Sequence, residues 1–521
     1  MGIKENRGCA IAGGDLRTVE AGKIAFERGG NAFDAAIAAS LAAMVSEPTL
    51  TSAGGGGFLL AHTAEKRNIL YDFFTQTPRQ KRPLSEINFY PVEVNFGDAL
   101  QTFHIGLGSM ATPGNLAGLF VVHEQLGRLP FHLIAEPAIQ YAEEGIPVSP
   151  FQETCINQFL HPILLAESET RAIFAPQGKL LQRGENLRMK NFAATLRELV
   201  KNGTKEFYRG EMARQLVRDC HERGGYLTME DMENYRTIER KPLSIRYRDY
   251  EIITNPSPSS GGILIAFALQ LLASLDVNKI EYGSPQHLEL LARAMSLTNL
   301  ARKDGYNDKI YRGDVAKNFL SPDHLALYRE QLKGSINKLG STTHISTIDS
   351  EGNAASITTS NGEGSSYTIP GTDIMVNNML GEEDLNPLGF HHWPCDRRIS
   401  SMMSPTIILH RGNPAFVLGS GGSNRIRTAI LQVILNLIDF KLPLEEAIEN
   451  PRVHWENGIF NIEPPFSHNE VDRLQLPEET EVVLWKEKSM FFGGVHGVGR
   501  TQEGQIVGAG DVRRKGAFAI A

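Results

Sequence analysis

Cysteine is scarce in this chain: four in 521 residues, at Cys9, Cys155, Cys220 and Cys395. They stand far apart, with no Cys-x-x-Cys and no Cys/His spacing of a zinc site, so they read as isolated buried thiols. His391-His392 with Cys395 and Asp396 has the residue types of a metal cluster. Adjacent histidines point in different directions on any regular element, so a loop without metal is expected. Long apolar runs are missing too. None approaches the ~20 residues that span a bilayer, so no membrane partner is expected. A basic excess is absent: 52 Lys+Arg against 60 Asp+Glu gives a net charge of −8, with no long basic run. That speaks against nucleic acid as a partner. The opening residues Met1 to Cys9 lack the apolar core of a secretory signal, and Asn6 stands where N-myristoylation wants Ser or Thr. The expectation is a cytoplasmic protein, or an exported one if a leader preceded residue 1. Internal repeats and low-complexity tracts are absent as well.

What is present fits a globular core: 41% hydrophobic and 8% aromatic residues. A length of 521 residues predicts two large lobes or one large α/β body. The spacing predicts a helix over 18–28 stopped by Gly29-Gly30, then a second, Ala-rich helix capped by Asn31. The run Gly54-Gly55-Gly56-Gly57 is no phosphate loop, since no Lys-Ser/Thr follows and it enters the apolar Phe58-Leu59-Leu60. Further helices are predicted after the turn in Ala111 to Leu119, ending at Gly127, after the N-cap Thr228, from Ile263 to Leu275 and from Pro285 to Arg302. A mostly polar linker is expected over 332–340.

The segment Ser341-Thr342-Thr343-His344-Ile345-Ser346-Thr347-Ile348 carries the chemistry. Its β-branched residues, the polar turn Asp349 to Asn353 and a second run from Ala354 to Thr359 predict a hairpin. A Thr hydroxyl at a strand start becomes a nucleophile if the peptide bond before it is cut. The freed α-amine, with a reference pKa of about 7.7, then serves as general base.

Thr342-x-His344-x-Ser346, followed by Gly352-Asn353 in the turn, resembles the self-cleavage motif of the γ-glutamyltranspeptidase family. The likeness continues in Glu20-Ala21-Gly22, Gly29 to Ala36, Thr112-Pro113-Gly114, Gly224 to Thr228, Ser400-Ser401-Met402-Met403-Ser404-Pro405-Thr406, Gly419 to Ile426 and Gly508 to Ala517. It implies an α/β protein with the N-terminal-nucleophile hydrolase fold, a four-layer αββα sandwich. A precursor would be cut between Ser341 and Thr342 into a large segment, 1–341, and a small one, 342–521, staying together as a heterodimer. The resemblance makes Thr342, not Thr343, the nucleophile, with Ser360 where the family has a second, steering Thr. Gly421 and Gly422 would form the oxyanion hole, with Asp384, Ser400, Ser401 and Asn361 holding substrate. The implied reaction is transfer of a γ-glutamyl group, from a donor such as glutathione, to water or an amino acid without metal or organic cofactor.

Besides Ser360, three positions depart from the family pattern. Phe74 stands where an Arg normally holds the substrate α-carboxylate; Arg79 and Arg82 lie near in sequence and are candidates to replace it. Met379 stands at a usual acidic position, with Glu382 or Glu383 as possible compensation for the α-ammonium. Gly362 replaces an Asn, whose contact Asn361 is placed to take. Phe74 and Met379 keep one alternative open, an N-terminal-nucleophile amidase with another acyl substrate, and a non-cleaving binding homologue is a second alternative.

Overall fold

A computed structural model describes residues 8–95, 100–304, 306–329, 342–386, 388–466, 471, 473–476 and 480–521. The expected linker 332–340 and Ser341 lie outside the described residues. In chain order the strands of the two large sheets are β1 (Ala10–Gly13), β2 (Gly56–His62), β3 (Asn68–Phe73), β4 (Ile238–Arg240), β5 (Leu243–Tyr247), β6 (Tyr250–Thr254), β7 (Thr343–Ile348), β8 (Ala354–Ser360), β9 (Thr406–His410), β10 (Asn413–Gly421), β11 (Gly494–Arg500), β12 (Ile506–Ala509) and β13 (Ala517–Ile520). One sheet runs β13-β1-β7-β8-β2-β3-β4 and the other β12-β11-β10-β9-β6-β5. Every pairing within them is antiparallel.

The two sheets pack face to face, β7 and β8 lying against β10 and β11. Helices α1 (Leu16–Glu27) and α2 (Ala32–Ser46) cover the outer face of the first sheet. Helices α3 (Gly261–Leu272), α4 (Pro285–Lys303) and α5 (Arg425–Ile438) lie outside the second. This is the four-layer αββα sandwich that the resemblance implied. Residues before and after position 342 are interleaved in it, since β7 pairs with β1 and β8 with β2.

Local chemistry sets the element ends. Asp15 caps α1 by accepting from the Arg17 backbone N–H at 2.8 Å, and the chain leaves the helix through Gly29 at φ 85°. Asn31 and Asp34 form the capping box of α2, each side chain accepting from the other's backbone N–H. All fifteen residues of α2 are buried, which is why small alanines rather than one apolar stripe fill it. The sheet is only one of its neighbours; α1 and the helix Phe131–Glu144 press on the other sides.

Strand alternation then divides the core in two. On β7, Ile345 packs in the cluster with α1 and α2, while Ile348 belongs to the cluster shared with the second sheet. His344 and Ser346 also face the second sheet. The His344 ring bonds the hydroxyls of Thr358 (2.8 Å) and Ser346 (2.9 Å), and Ser346 donates to the His496 carbonyl at 3.1 Å. Burial, and after it the nearby His496, pushes the His344 pKa well down, so the imidazole is neutral. Thr-x-His-x-Ser is therefore one polar face of a strand, satisfied between two sheets.

Candidate active site

Thr342 is the residue before β7 and is 5% exposed. It lines a pocket of about 30 Å³ together with Ser360 at the end of β8, Ser401 in the approach to β9, and Ser423 ahead of α5. Antiparallel pairing of β7 with β8 brings Thr343 opposite Thr359, which puts Thr342 and Ser360 at the same end of the hairpin. The remaining walls are largely apolar: Phe74, Met379, Leu385, Met402, Met403 and Ile426. Phe74 is 1% exposed and stacks on Phe58, with ring centroids 5.4 Å apart.

Among the described residues lining this pocket, Glu382 is the one acidic residue. Its Oε1 is sealed from solvent and has no hydrogen-bond partner among the described residues. Burial, then the neighbouring Glu363 and Asp384 charges, raise its pKa well above the ordinary 4.5. Asp384 turns elsewhere: its Oδ2 accepts from Ser423 Oγ at 2.6 Å and Asn424 Nδ2 at 3.2 Å, tying down the turn before α5. Burial raises its pKa as well.

The backbone of Thr342 is held from two sides. Arg514 Nη1 donates to its carbonyl oxygen at 3.1 Å. Gly421, at the end of β10, presses on the same oxygen so closely that an added Cβ would lie 2.0 Å from it. Gly422 follows at φ 122° and carries the chain to Ser423 and the pocket. On the far side, Thr343 Oγ1 donates to Glu47 Oε2 at 2.6 Å, and Thr18 Oγ1 donates to Glu47 Oε1 at 2.8 Å. Burial, and next the charge of Asp15, pushes the Glu47 pKa up to about 7.

Of the residues singled out from sequence, the pocket brings together Thr342, Ser360 and Ser401, with Gly421 and Gly422 adjoining. Ser400 faces away: its hydroxyl meets that of Ser260 at 3.2 Å, and it lines a neighbouring cavity of about 70 Å³ with Tyr311 and Trp393. Asn361 is 1% exposed, and its side-chain amide has no hydrogen-bond partner among the described residues. Asn378 Oδ1 instead takes the backbone N–H groups of Glu363 and Gly364. Neither Arg79 nor Arg82 lines the pocket. Arg79 pairs with Asp396 at 3.0 Å, and Arg82 donates to the carbonyls of Cys220, His221 and Gly225. Among the described residues, no lysine or arginine lines the pocket. The expectation of buried cysteines holds for Cys155 and Cys220, whereas Cys9 is half-buried and Cys395 is exposed on a loop.

Sequence reasoning assigned no role to Glu47 or Arg514. Arg514 lies 172 positions from Thr342, inside a C-terminal segment whose only signal was a general likeness. Among the described residues, no group of His, Cys, Asp and Glu could hold a metal ion, and no helix is long and apolar enough to cross a membrane.

The chain is similar to known proteins over nearly its whole length. The glutathione hydrolase proenzyme of Escherichia coli K12 is 29% identical, the match covering 96% of this chain and 90% of that one. The Acylase ACY 1 proenzyme of Pseudomonas sp. strain SE83 is 31% identical, over 88% and 84% of the two chains. Among solved structures, cephalosporin acylase from Bacillus halodurans shares the fold, with a TM-score of 0.87 at 24% identity over 100% and 97% of the chains. Helicobacter pylori gamma-glutamyltranspeptidase aligns with a TM-score of 0.54 at 26% identity, over 61% of this chain and 90% of that one. With residues 18–521 matching the gamma-glutamyltranspeptidase family model, this chain is an enzyme of the gamma-glutamyltranspeptidase family.

Proposed function

We propose that the chain is a γ-glutamyltransferase and glutathione hydrolase that matures by cutting itself between Ser341 and Thr342. The observation that carries this reading is one pocket lined by Thr342, Ser360, Ser401 and Glu382, drawn from four separate segments. In maturation the Thr342 hydroxyl attacks the Ser341 carbonyl, and the peptide bond gives way to an ester. That shift frees the Thr342 amine, and water then cleaves the ester, releasing Ser341 as a carboxylate and restoring the Thr342 hydroxyl. Segments 1–341 and 342–521 stay together because the first sheet is woven from both.

In turnover the Thr342 hydroxyl passes its proton to its own α-amine, whose reference pKa of about 7.7 leaves a usable unprotonated fraction near neutrality. The oxygen attacks the γ-carbonyl, and the backbone N–H groups of Gly421 and Gly422 receive the oxyanion. The leaving amine takes the proton, and an ester of Thr342 remains. Water, or the amine of an amino acid, breaks that ester and restores the hydroxyl. Ser360 orients Thr342, Ser401 offers a hydroxyl to the substrate carboxylate, and Glu382 takes the α-ammonium. A sealed carboxyl with a raised pKa is suited to that task, since an arriving cation supplies the missing counter-charge.

Phe74 favours a second reading, an acylase for acyl groups that carry no α-carboxylate. A phenyl ring cannot supply the forked ion pair of a guanidinium, whose charged hydrogen bonds contribute about 1.5–3 kcal/mol each.

The deciding experiment compares intact masses of wild type and Thr342→Ala, then assays wild type on γ-glutamyl and simple acyl anilides. Two fragments meeting at 341/342 in wild type, with Thr342→Ala uncut and γ-glutamyl anilide preferred, support the main reading. Cleavage with preference for the simple acyl anilides would replace it by the acylase. An uncut, inactive wild type would replace both by a binding protein.

A further inference from the structure

A cavity of about 560 Å³ shares no wall residue with the Thr342 pocket. Six arginines line it: Arg79, Arg236, Arg240, Arg312, Arg397 and Arg398. They come from the segment after β3, from β4 and its approach, from the loop 310–313 and from the stretch ahead of β9. The chain as a whole is acidic, with a net charge of −8, so this concentration of positive charge is local.

Its counter-charges can be traced. Asp72, fully buried beneath the cavity, pairs with Arg240 at 2.7 Å and Arg398 at 3.2 Å. Asp396 pairs with Arg79 at 3.0 Å, and Glu230 reaches the same guanidinium at 3.9 Å. Arg236, Arg312 and Arg397 are exposed and pair with no carboxylate among the described residues. Arg236 spends one nitrogen on the carbonyls of Glu233 and Tyr235. Three guanidiniums around one concave wall thus have no carboxylate partner among the described residues, the wall's own Asp396 being paired with Arg79. Like charges gathered in a cleft repel one another and focus a positive potential on the space between them.

The floor is rigid. Arg398 is 4% exposed, donates to Tyr235 Oη and the Arg236 carbonyl at 2.6 Å each, and receives the Tyr311 hydroxyl on its own carbonyl at 3.1 Å. The apolar walls Ile238, Pro256, Pro258 and Ile310 keep the opening shaped between the charges.

We infer that this cavity is a binding site for a small multivalent anion, a molecule bearing two or more phosphate or carboxylate groups. Guanidinium forks match the oxygens of both groups in paired hydrogen bonds, and the three uncompensated arginines set the requirement for more than one anionic group. The site is independent of the chemistry at Thr342.

Isothermal titration of the whole protein at low ionic strength with inorganic phosphate, pyrophosphate and citrate tests it. The expected result is one site per chain, with pyrophosphate or citrate bound at least tenfold more tightly than phosphate; the tighter of the two names the anion class. Arg312→Ala with Arg397→Ala weakens that affinity at least tenfold and leaves the melting temperature unchanged, because both side chains are exposed. Lys179→Ala with Arg183→Ala removes the same charge elsewhere on the surface and leaves affinity unchanged. Absence of a one-to-one binding heat, equal weakening by both double variants, or affinity untouched by the arginine pair would overturn the assignment.

Discussion

Arg514 Nη1 stands 3.1 Å from the carbonyl oxygen of Thr342, and Gly421 closes on that same oxygen from the end of β10. The residue proposed as nucleophile is thereby fixed through its backbone by a buried cation and a strand end that carries no side chain at Gly421. Arg514→Gln is expected to lower kcat at least tenfold with a smaller change in KM, as a positioning role requires. Removing a charged donor from a buried carbonyl costs about 1–3 kcal/mol. Arg514→Lys keeps the charge and should recover part of the loss. Kinetics on the cleaved enzyme separate kcat from KM, and equal loss in both variants with unchanged kcat/KM ratios across substrates would argue for general unfolding instead.

Gly421→Ala offers a steric test. The added methyl would sit 2.0 Å from the Thr342 oxygen, so the strand or the nucleophile has to move. We expect loss of cleavage at 341/342 and of turnover, read by intact mass and by anilide assay. Gly313→Ala meets nothing within 4 Å and should change stability by no more than about 0.5 kcal/mol.

Glu382 and Asp384 should part company when each is neutralised. Glu382→Gln neutralises the one acidic residue among the described residues of the pocket wall and is expected to raise KM for a γ-glutamyl anilide about tenfold or more, leaving KM for a simple acyl anilide unchanged. Asp384→Asn weakens the contacts to Ser423 and Asn424 and should act mainly on thermal stability. If Asp384→Asn selectively raises KM while Glu382→Gln does not, the ammonium site belongs to Asp384.

Glu47 makes stability depend on pH. Its folded pKa of about 7 lies above the ordinary 4.5, so the folded state holds the proton more tightly than the unfolded one. The contribution is complete below about pH 4.5 and is lost as pH rises through 7, amounting to about 3 kcal/mol over that window. Denaturant unfolding at pH 5 and pH 8 should therefore show a smaller difference for Glu47→Gln than for wild type. An identical difference in the two proteins would remove Glu47 as the cause.

Much of the scaffold was legible because neighbours in sequence decide it. The Asn31 and Thr228 caps, the stop at Gly29 and the turn after Asp349 all depend on atoms a few residues apart. The alternation His344, Ser346, Ile348 against Thr343, Ile345, Thr347 fixes which side chains face which layer. The helix expected over 263–275 runs from Gly261 to Leu272, a shift at its ends that apolar periodicity alone does not resolve.

The sequence by itself determined the hairpin and the order of its Thr, His and Ser residues along the chain, since covalent spacing and side-chain alternation are enforced locally. Tertiary structure alone decided that Glu382, rather than Asp384, lines the Thr342 pocket, that Ser401 lines it while Ser400 turns to Ser260, and that no arginine among the described residues joins Phe74 in its wall. It also delivered Arg514 to the Thr342 carbonyl and gathered six arginines around a separate cavity. Those choices rest on burial and charge compensation among segments up to several hundred residues apart, which no periodicity in the chain encodes.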